Sequence, residues 1–451
     1  DIDIAPRKRS ELVRWLTKPQ SERRDTWCDV CHTRFFHSLY ALCDLARDNV
    51  WPTGRWREAL QAWSEEGMVL RSWRYAAPLV QTMPDSDLQK LAHSVTWWIK
   101  AVSKSINQHK EILLNLCRRA LTLPLEASTE ITRNGQPLDQ PVTEAINHPV
   151  GHVTQALINL WFKRNPNDND QLPTDIRPCF TELCDVQVDR FRHGRVLLGS
   201  RLITLFRVDR TWTEQYLLPL LSWNNPVEAK AVWEGFLWSP RLYQPLLIAF
   251  KSQFLESAKH YADLGEHHQQ FAAFLTYAAL GPTEGYTAKE FRSAIGVLPK
   301  EGLEECARAL YQAIEGAADQ REDYWNNRVQ PFWQDIWPKF RNLATPQIAE
   351  SLTRMIIAAG SEFPASLAAV QDWLQPIEHP YYVVDTLHES GLCARFPSDA
   401  LCLLAAVIAD QQWWTPQELR QCLDEIVHAA PQLAQDSRYL RLREYLRKQD
   451  G

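Results

Sequence analysis

An all-α fold of stacked antiparallel helix pairs, a degenerate α-solenoid of the HEAT or armadillo kind, is what the sequence predicts. Three observations predict it. Apolar residues recur at helical spacing almost throughout, sustained period-two alternation is nearly absent, and only 16 glycines occur among 451 residues, about half the ~7% of an average chain. Few glycines leave few tight turns, which weighs against sheet-rich folds and against loops that cradle phosphates. The chain also exceeds the roughly 250–300 residues that one core supports. It should form either an elongated array or two or three packed units.

Taken in order, the elements are marked by their starts. Thr53 stands before Arg55, Pro84-Asp85 before Leu88, Pro226 before Trp233, Thr345-Pro346 before Ile348 and Thr415-Pro416 before Leu419. A proline in the first turn of a helix loses no hydrogen bond, so many of the 27 prolines mark starts and not breaks. Leu88, Leu91, Val95, Trp98, Ile99 and Val102 form one apolar stripe at helical spacing. Roughly twenty helices of about 10–20 residues result, with short connections and no fixed repeat period. Residues 1–125 read as an N-terminal helical subdomain and 146–451 as a helical-repeat region. Between them, 126–145 reads as a polar linker or small hairpin turning at Asn134-Gly135, and it is the best boundary on offer. Residues 163–171 should be a hydrated loop. The run from Ala400 to Ala409, apolar on all sides, should be a central buried helix.

The net charge of −6 offers no general attraction to nucleic acid or to anionic membrane. The longest apolar run is far short of the ~20 residues that span a bilayer, and neither a leader nor a glycosylation sequon is present. A cytoplasmic protein is expected. The chain opens Asp1-Ile2-Asp3 without an initiator methionine, which suggests a portion of something longer. Ten dispersed cysteines read as reduced, buried thiols.

Several constellations could carry chemistry. Cys28-Asp-Val-Cys-His32 has the spacing by which c-type haem is attached, but that needs export. The same residues with His37 could supply zinc ligands; they sit in one helical stretch without a distant second pair, so an ordinary buried helix start is the plainer reading. Cys179 with Cys184, and the pair His267-His268, lack companions. Glu301, Glu304 and Glu305 share a helix face and read as solvated. No nucleotide-binding glycine loop, nucleophile elbow or His-Glu-x-x-His helix occurs. No catalytic residue, cofactor or metal is therefore expected. The segment from Arg55 to Tyr75 interleaves Arg55, Arg57, Arg71 and Arg74 with Trp56, Trp63 and Trp73. Arginine and indole can grip bases and phosphates, or they can pack helices with cation–π contacts or face a protein partner; the negative net charge favours packing or a protein-facing surface over nucleic acid. Trp325, Trp333 and Trp337, with Phe332 and Phe340, read as a core stripe.

Four phrases carry a resemblance: Pro52-Thr-Gly-Arg-Trp-Arg57, Arg71-Ser-Trp-Arg-Tyr-Ala-Ala-Pro78, Asn147-His-Pro-Val-Gly151 with Thr154 and Ala156-Leu157, and Trp233-Glu-Gly-Phe-Leu-Trp-Ser-Pro-Arg241. Over residues 50 to 260, and more loosely to the end, the chain resembles the Trp-rich helical domain that follows a sirtuin-like domain in bacterial anti-phage defence proteins. The resemblance implies a sensor of a phage component, a phage protein above all, that restrains an NAD⁺-hydrolysing sirtuin-like effector outside this chain. No catalytic residue of that effector has a counterpart here. The matching phrases look architectural, His148 and His152 included. Self-association stays open, and a helical-repeat nucleic-acid binder is the alternative.

Overall fold

The computed structural model describes residues 2–19, 24–128, 132–137, 139–410 and 417–450. The chain divides into two compact units, Asp1–Ser239 and Pro240–Gly451. The division thus falls well after residues 126–145, which lie inside the first unit.

In the first unit α1 (Arg9–Leu16), α2 (Trp27–Thr33), α3 (Phe35–Arg47), α4 (Thr53–Trp63), α5 (Val69–Val80), α6 (Asp85–Lys90), α7 (Ala92–Ser103) and α8 (Lys110–Thr122) come first. A hairpin of β1 (Thr132–Arg133) and β2 (Gln136–Pro137) follows. Its turn residues Asn134 and Gly135 both have positive φ, 54° and 76°, as a tight two-residue hairpin requires. Then come α9 (Pro141–Asn147), α10 (Pro149–Phe162), α11 (Arg177–Leu183), α12 (Arg192–Gly199), α13 (Leu202–Val208), α14 (Arg210–Trp212) and α15 (Pro226–Leu237). Among the described residues, strand structure is limited to that hairpin and one bridge between Asp3 and Asp25.

The second unit holds α16 (Gln244–Ala249), α17 (Lys251–Ser257), α18 (His268–Leu280), α19 (Ala288–Gly296), α20 (Lys300–Gly316), α21 (Arg321–Tyr324) and α22 (Gln330–Asp335). It continues with α23 (Pro346–Ala358), α24 (Phe363–Val370), α25 (Tyr381–Glu389), α26 (Leu392–Arg395), α27 (Pro397–Val407), α28 (Gln417–Ala429) and α29 (Ser437–Asp450).

The starts follow the residues that mark them. Pro226 and Pro346 occupy first-turn positions, and the Thr345 hydroxyl accepts the Ile348 N–H at 3.2 Å. Thr415-Pro416 lies outside the described residues. Leu88, Leu91, Val95, Trp98, Ile99 and Val102 are each at most 1% exposed, although the helix is interrupted at Leu91 between α6 and α7. The expected central helix is α27, with Ala400, Leu401, Leu403, Leu404 and Val407 fully buried. Trp325, Trp333 and Trp337 are core, but Phe340 is 71% exposed because α22 has already ended at Asp335. Among the described residues, no helix is long and apolar enough to cross a membrane.

Packing follows a regular order in each unit. In the first, α2 rests on α4, α4 on α7, α7 on α10, α10 on α12 and α12 on α15; α1 rests on α3, α3 on α5 and α5 on α8. In the second, α18, α20, α23, α25 and α28 make one such series, and α17, α19, α22, α24 and α27 another. The middle of the first unit is drawn tight by glycines. A Cβ at Gly235 of α15 would lie 1.9 Å from the Val196 carbonyl oxygen of α12, and one at Gly199 of α12 would lie 2.7 Å from the Val232 oxygen of α15. Beside this crossing, Arg195 of α12 is fully buried against Glu228 of α15.

Candidate functional site

The cysteine-histidine start of α2 is engaged in contacts within its own unit. Cys31 is buried, and burial pushes its thiol well above the usual range; burial raises Cys28 as well. His32 turns to Glu65, with Nε2 2.9 Å from the carboxylate, and that contact raises its pKa. His37 is half-buried on α3, and its Nε2 lacks a hydrogen-bond partner among the described residues. Among those residues, no three His, Cys, Asp or Glu side chains gather as a metal site would. Of the pair His267-His268, His267 is only 8% exposed.

The Arg55 to Tyr75 segment splits into two roles. Trp56, Trp63 and Trp73 are 0%, 0% and 1% exposed, so none can meet a base or a partner surface. Their interaction role, expected from sequence, is corrected to core packing. Trp63 Nε1 donates to the Cys31 carbonyl at 3.3 Å and Trp73 Nε1 to that of Gln108 at 3.0 Å. Arg55 joins them: it is 5% exposed, pairs with Asp25 at 2.6 Å and lies 4.1 Å over the Trp15 ring. Arg57, Arg71 and Arg74 are exposed.

Arg71 and Arg74 belong to a surface cluster built by α3 and α5. Phe36 and Tyr40, four apart on α3, stack at 5.9 Å, and Tyr75 of α5 meets Phe36 edge-on at 5.0 Å. The Arg71 guanidinium lies 5.0 Å from the Phe36 centroid and 5.2 Å from that of Phe35, and Arg74 lies 5.2 Å from Tyr75. Arg9 covers Tyr40 at 5.4 Å while gripping Asp44. Tyr40 is 48% and Tyr75 43% exposed. Tyrosine and arginine held in fixed geometry are the residue types that dominate protein interfaces. Phe36 and Tyr40 escaped the sequence reading because an i, i+4 aromatic pair on a helix has the spacing of a core stripe.

The histidines of the third phrase are structural in their bonding. His148 Nδ1 accepts the Val150 N–H at 3.0 Å and caps α10, so its Nε2 carries the proton and donates to the Glu126 carbonyl at 2.8 Å. His193 of α12 stacks on it at 4.1 Å and donates Nε2–H to the Ala127 carbonyl at 2.5 Å. His152 is fully buried, with Nδ1 2.9 Å from the Thr96 hydroxyl. Burial first, then neighbouring histidines, lowers His152 to about 3 and His193 to about 4. The unfolded chain takes up these protons near the ordinary value of about 6.5 and the folded chain does not. Stability is therefore complete above that value and declines as acid is added towards the folded values. Each of the two contributes about 1.4 kcal/mol per pH unit, so urea unfolding should show roughly 2.5 kcal/mol less stability at pH 5.5 than at pH 7. His152→Leu with His193→Leu should flatten that dependence; an unchanged slope would contradict the burial described. Beside His193 a cleft of about 400 Å³ carries Arg192, Lys230, Asp139 and Glu144. Lys230 pairs with Asp139, and Arg192 with Glu228 and Asp189, so its cations are already neutralised.

No family model matches the chain. A stretch of 131 residues, 29% of this chain, is 28% identical to the uncharacterized protein y4cA of Sinorhizobium fredii (strain NBRC 101917 / NGR234). The match covers 11% of that protein, so the relative is more than twice as long as this chain.

Proposed function

We propose that this chain is a recognition and regulatory module, built as a degenerate HEAT-like solenoid, of a bacterial anti-phage defence protein. It recognises a phage component and controls an NAD⁺-hydrolysing sirtuin-like effector that lies outside residues 1–451. Support for the helical-repeat reading comes from the succession of helix-on-helix contacts within each unit. The observation that carries the reading is the surface ladder of exposed Tyr40 and Tyr75 about the half-buried Phe36, with Arg71 and Arg74, a surface composed for protein contact. The four phrases resembling defence proteins supply the setting.

The test is NAD⁺ consumption in cell extracts that contain this chain together with its effector, with and without phage infection. Infection should deplete NAD⁺, and Tyr40→Ala combined with Arg71→Glu should reduce that depletion at least tenfold while the protein stays folded. Hydrolysis of NAD⁺ by residues 1–451 alone, or no depletion in either extract, would reject the assignment.

A further inference from the structure

The helix α7 turns a second face outward, and that face is basic. His93, Trp97, Lys100 and Lys104 follow one another at i, i+4, i+7 and i+11, a stripe about 16 Å long. His93 and Lys104 are exposed, Lys100 is half-buried and Trp97 is 41% exposed, in a chain whose other indoles are mostly core. The Lys100 ammonium lies 4.2 Å from the Trp97 ring centroid, which holds both side chains in place. Exposed Arg57 of α4 bears on His93 from the neighbouring helix.

Among the described residues, Arg57, Lys100 and Lys104 form no ion pair with a carboxylate. Arg57 and Lys100 act on His93, Lys104 acts on Lys100, and His93, Lys100 and His148 act on His152. Burial and Lys104 together hold the Lys100 ammonium below its usual range. Such a concentration of positive charge in a chain of net charge −6 is costly unless an anion joins it.

The adjoining helix α10 adds polar groups along the same seam. His152, Gln155 and Asn159 recur at helical spacing, with His152 against Thr96 and Trp97 and Asn159 Nδ2 donating to Ser103 Oγ at 3.0 Å. Gln155 lies between those two contacts, and its amide Nε2 is buried without a partner among the described residues. A buried N–H that donates to nothing is destabilising, and a phosphate or carbonyl oxygen entering the seam would satisfy the Gln155 amide.

We propose that the seam between α7 and α10 is a binding site for single-stranded nucleic acid, with Arg57, Lys100 and Lys104 along the phosphates and Trp97 stacking on a base. The length of the stripe suits three or four phosphates, and an exposed ring set among cations is how single strands are held without sequence preference. An acidic protein segment would meet the same charges but would leave the ring without a stacking partner. This binding needs no effector domain, so it stands or falls apart from the NAD⁺ assignment.

The test is fluorescence anisotropy of labelled oligothymidylate titrated with the whole chain. Affinity should fall about 20- to 50-fold between about 50 and 200 mM salt, as release of counterions from three or four phosphates requires. Lys100→Glu with Lys104→Glu should weaken binding by tenfold or more, and Trp97→Ala by about 5- to 100-fold. Lys289→Glu with Lys300→Glu, the same charge change placed in the second unit, should leave it within about twofold. Near-UV circular dichroism of each variant verifies the fold. Absent or salt-insensitive binding, equal binding by the Lys100/Lys104 variant, or Lys100-dependent binding of poly-L-glutamate in place of the oligonucleotide would overturn the proposal; the last would assign the seam to an acidic protein.

Discussion

Glu228→Ala is expected to destabilise the first unit by about 3–5 kcal/mol, the loss seen when one member of a buried ion pair is removed. Arg195 is 0% and Glu228 2% exposed. Arg195 Nε and Nη2 donate to the two carboxylate oxygens at 2.7 and 2.8 Å, and Nη1 donates to the Leu183 and Asp185 carbonyls at 2.9 and 2.8 Å. Arg192 adds a bond to the same carboxylate at 2.9 Å. Without Glu228, a guanidinium that cannot lose its proton stays in the core with only carbonyl dipoles about it. Replacing both partners by apolar residues of similar volume, Arg195→Met with Glu228→Leu, should recover most of the loss, because desolvation of both charges is then avoided. Urea unfolding followed by near-UV circular dichroism measures both. A single-mutant loss under 1 kcal/mol would mean that water reaches the pair.

Gly235→Ala should be at least as damaging, about 4 kcal/mol or failure to accumulate as folded protein. The added Cβ would sit 1.9 Å from the Val196 carbonyl oxygen, 2.9 Å from its carbon and 3.2 Å from its Cα. These are backbone atoms of α12, so no rotamer change relieves the clash, and α12 and α15 must separate by more than 1 Å along a buried crossing. Overpacking by flexible side chains typically costs 1–3 kcal/mol, and a rigid backbone contact exceeds that. Gly296→Ala, at a helix end with open space around the new methyl, should be neutral or stabilise by about 0.4–1 kcal/mol. Equal melting temperatures for the two alanine variants would refute the close approach.

Much of the fold was legible because its determinants are local. The stripe from Leu88 to Val102, the first-turn prolines at Pro226 and Pro346 and the Asn134-Gly135 turn each act within a few residues. Less of the candidate site was legible, since exposure depends on which neighbour covers a side chain. Trp73 and Tyr75, two residues apart, end as a core residue and a surface residue. Arg55 and Arg57 part in the same way, and only the distant Asp25 and Trp15 decide which guanidinium goes inward. The outward Trp97 stands beside the buried Trp98, and the stripe that revealed one says nothing of the other. The glycine crossing of α12 and α15 was invisible for a related reason: a glycine in a helix carries no mark of what will press on it.

The order of stacking has a consequence for biogenesis. Each helix rests chiefly on one that follows within two or three helices, as α7 on α10 or α20 on α23, so the loops that folding must close are mostly local. Assembly can then proceed from the amino end as the polypeptide leaves the ribosome, each new helix docking on a surface already formed. Chains shortened from the carboxyl end, one helix pair at a time, should retain protease-resistant amino-terminal portions of graded length in place of collapsing all at once.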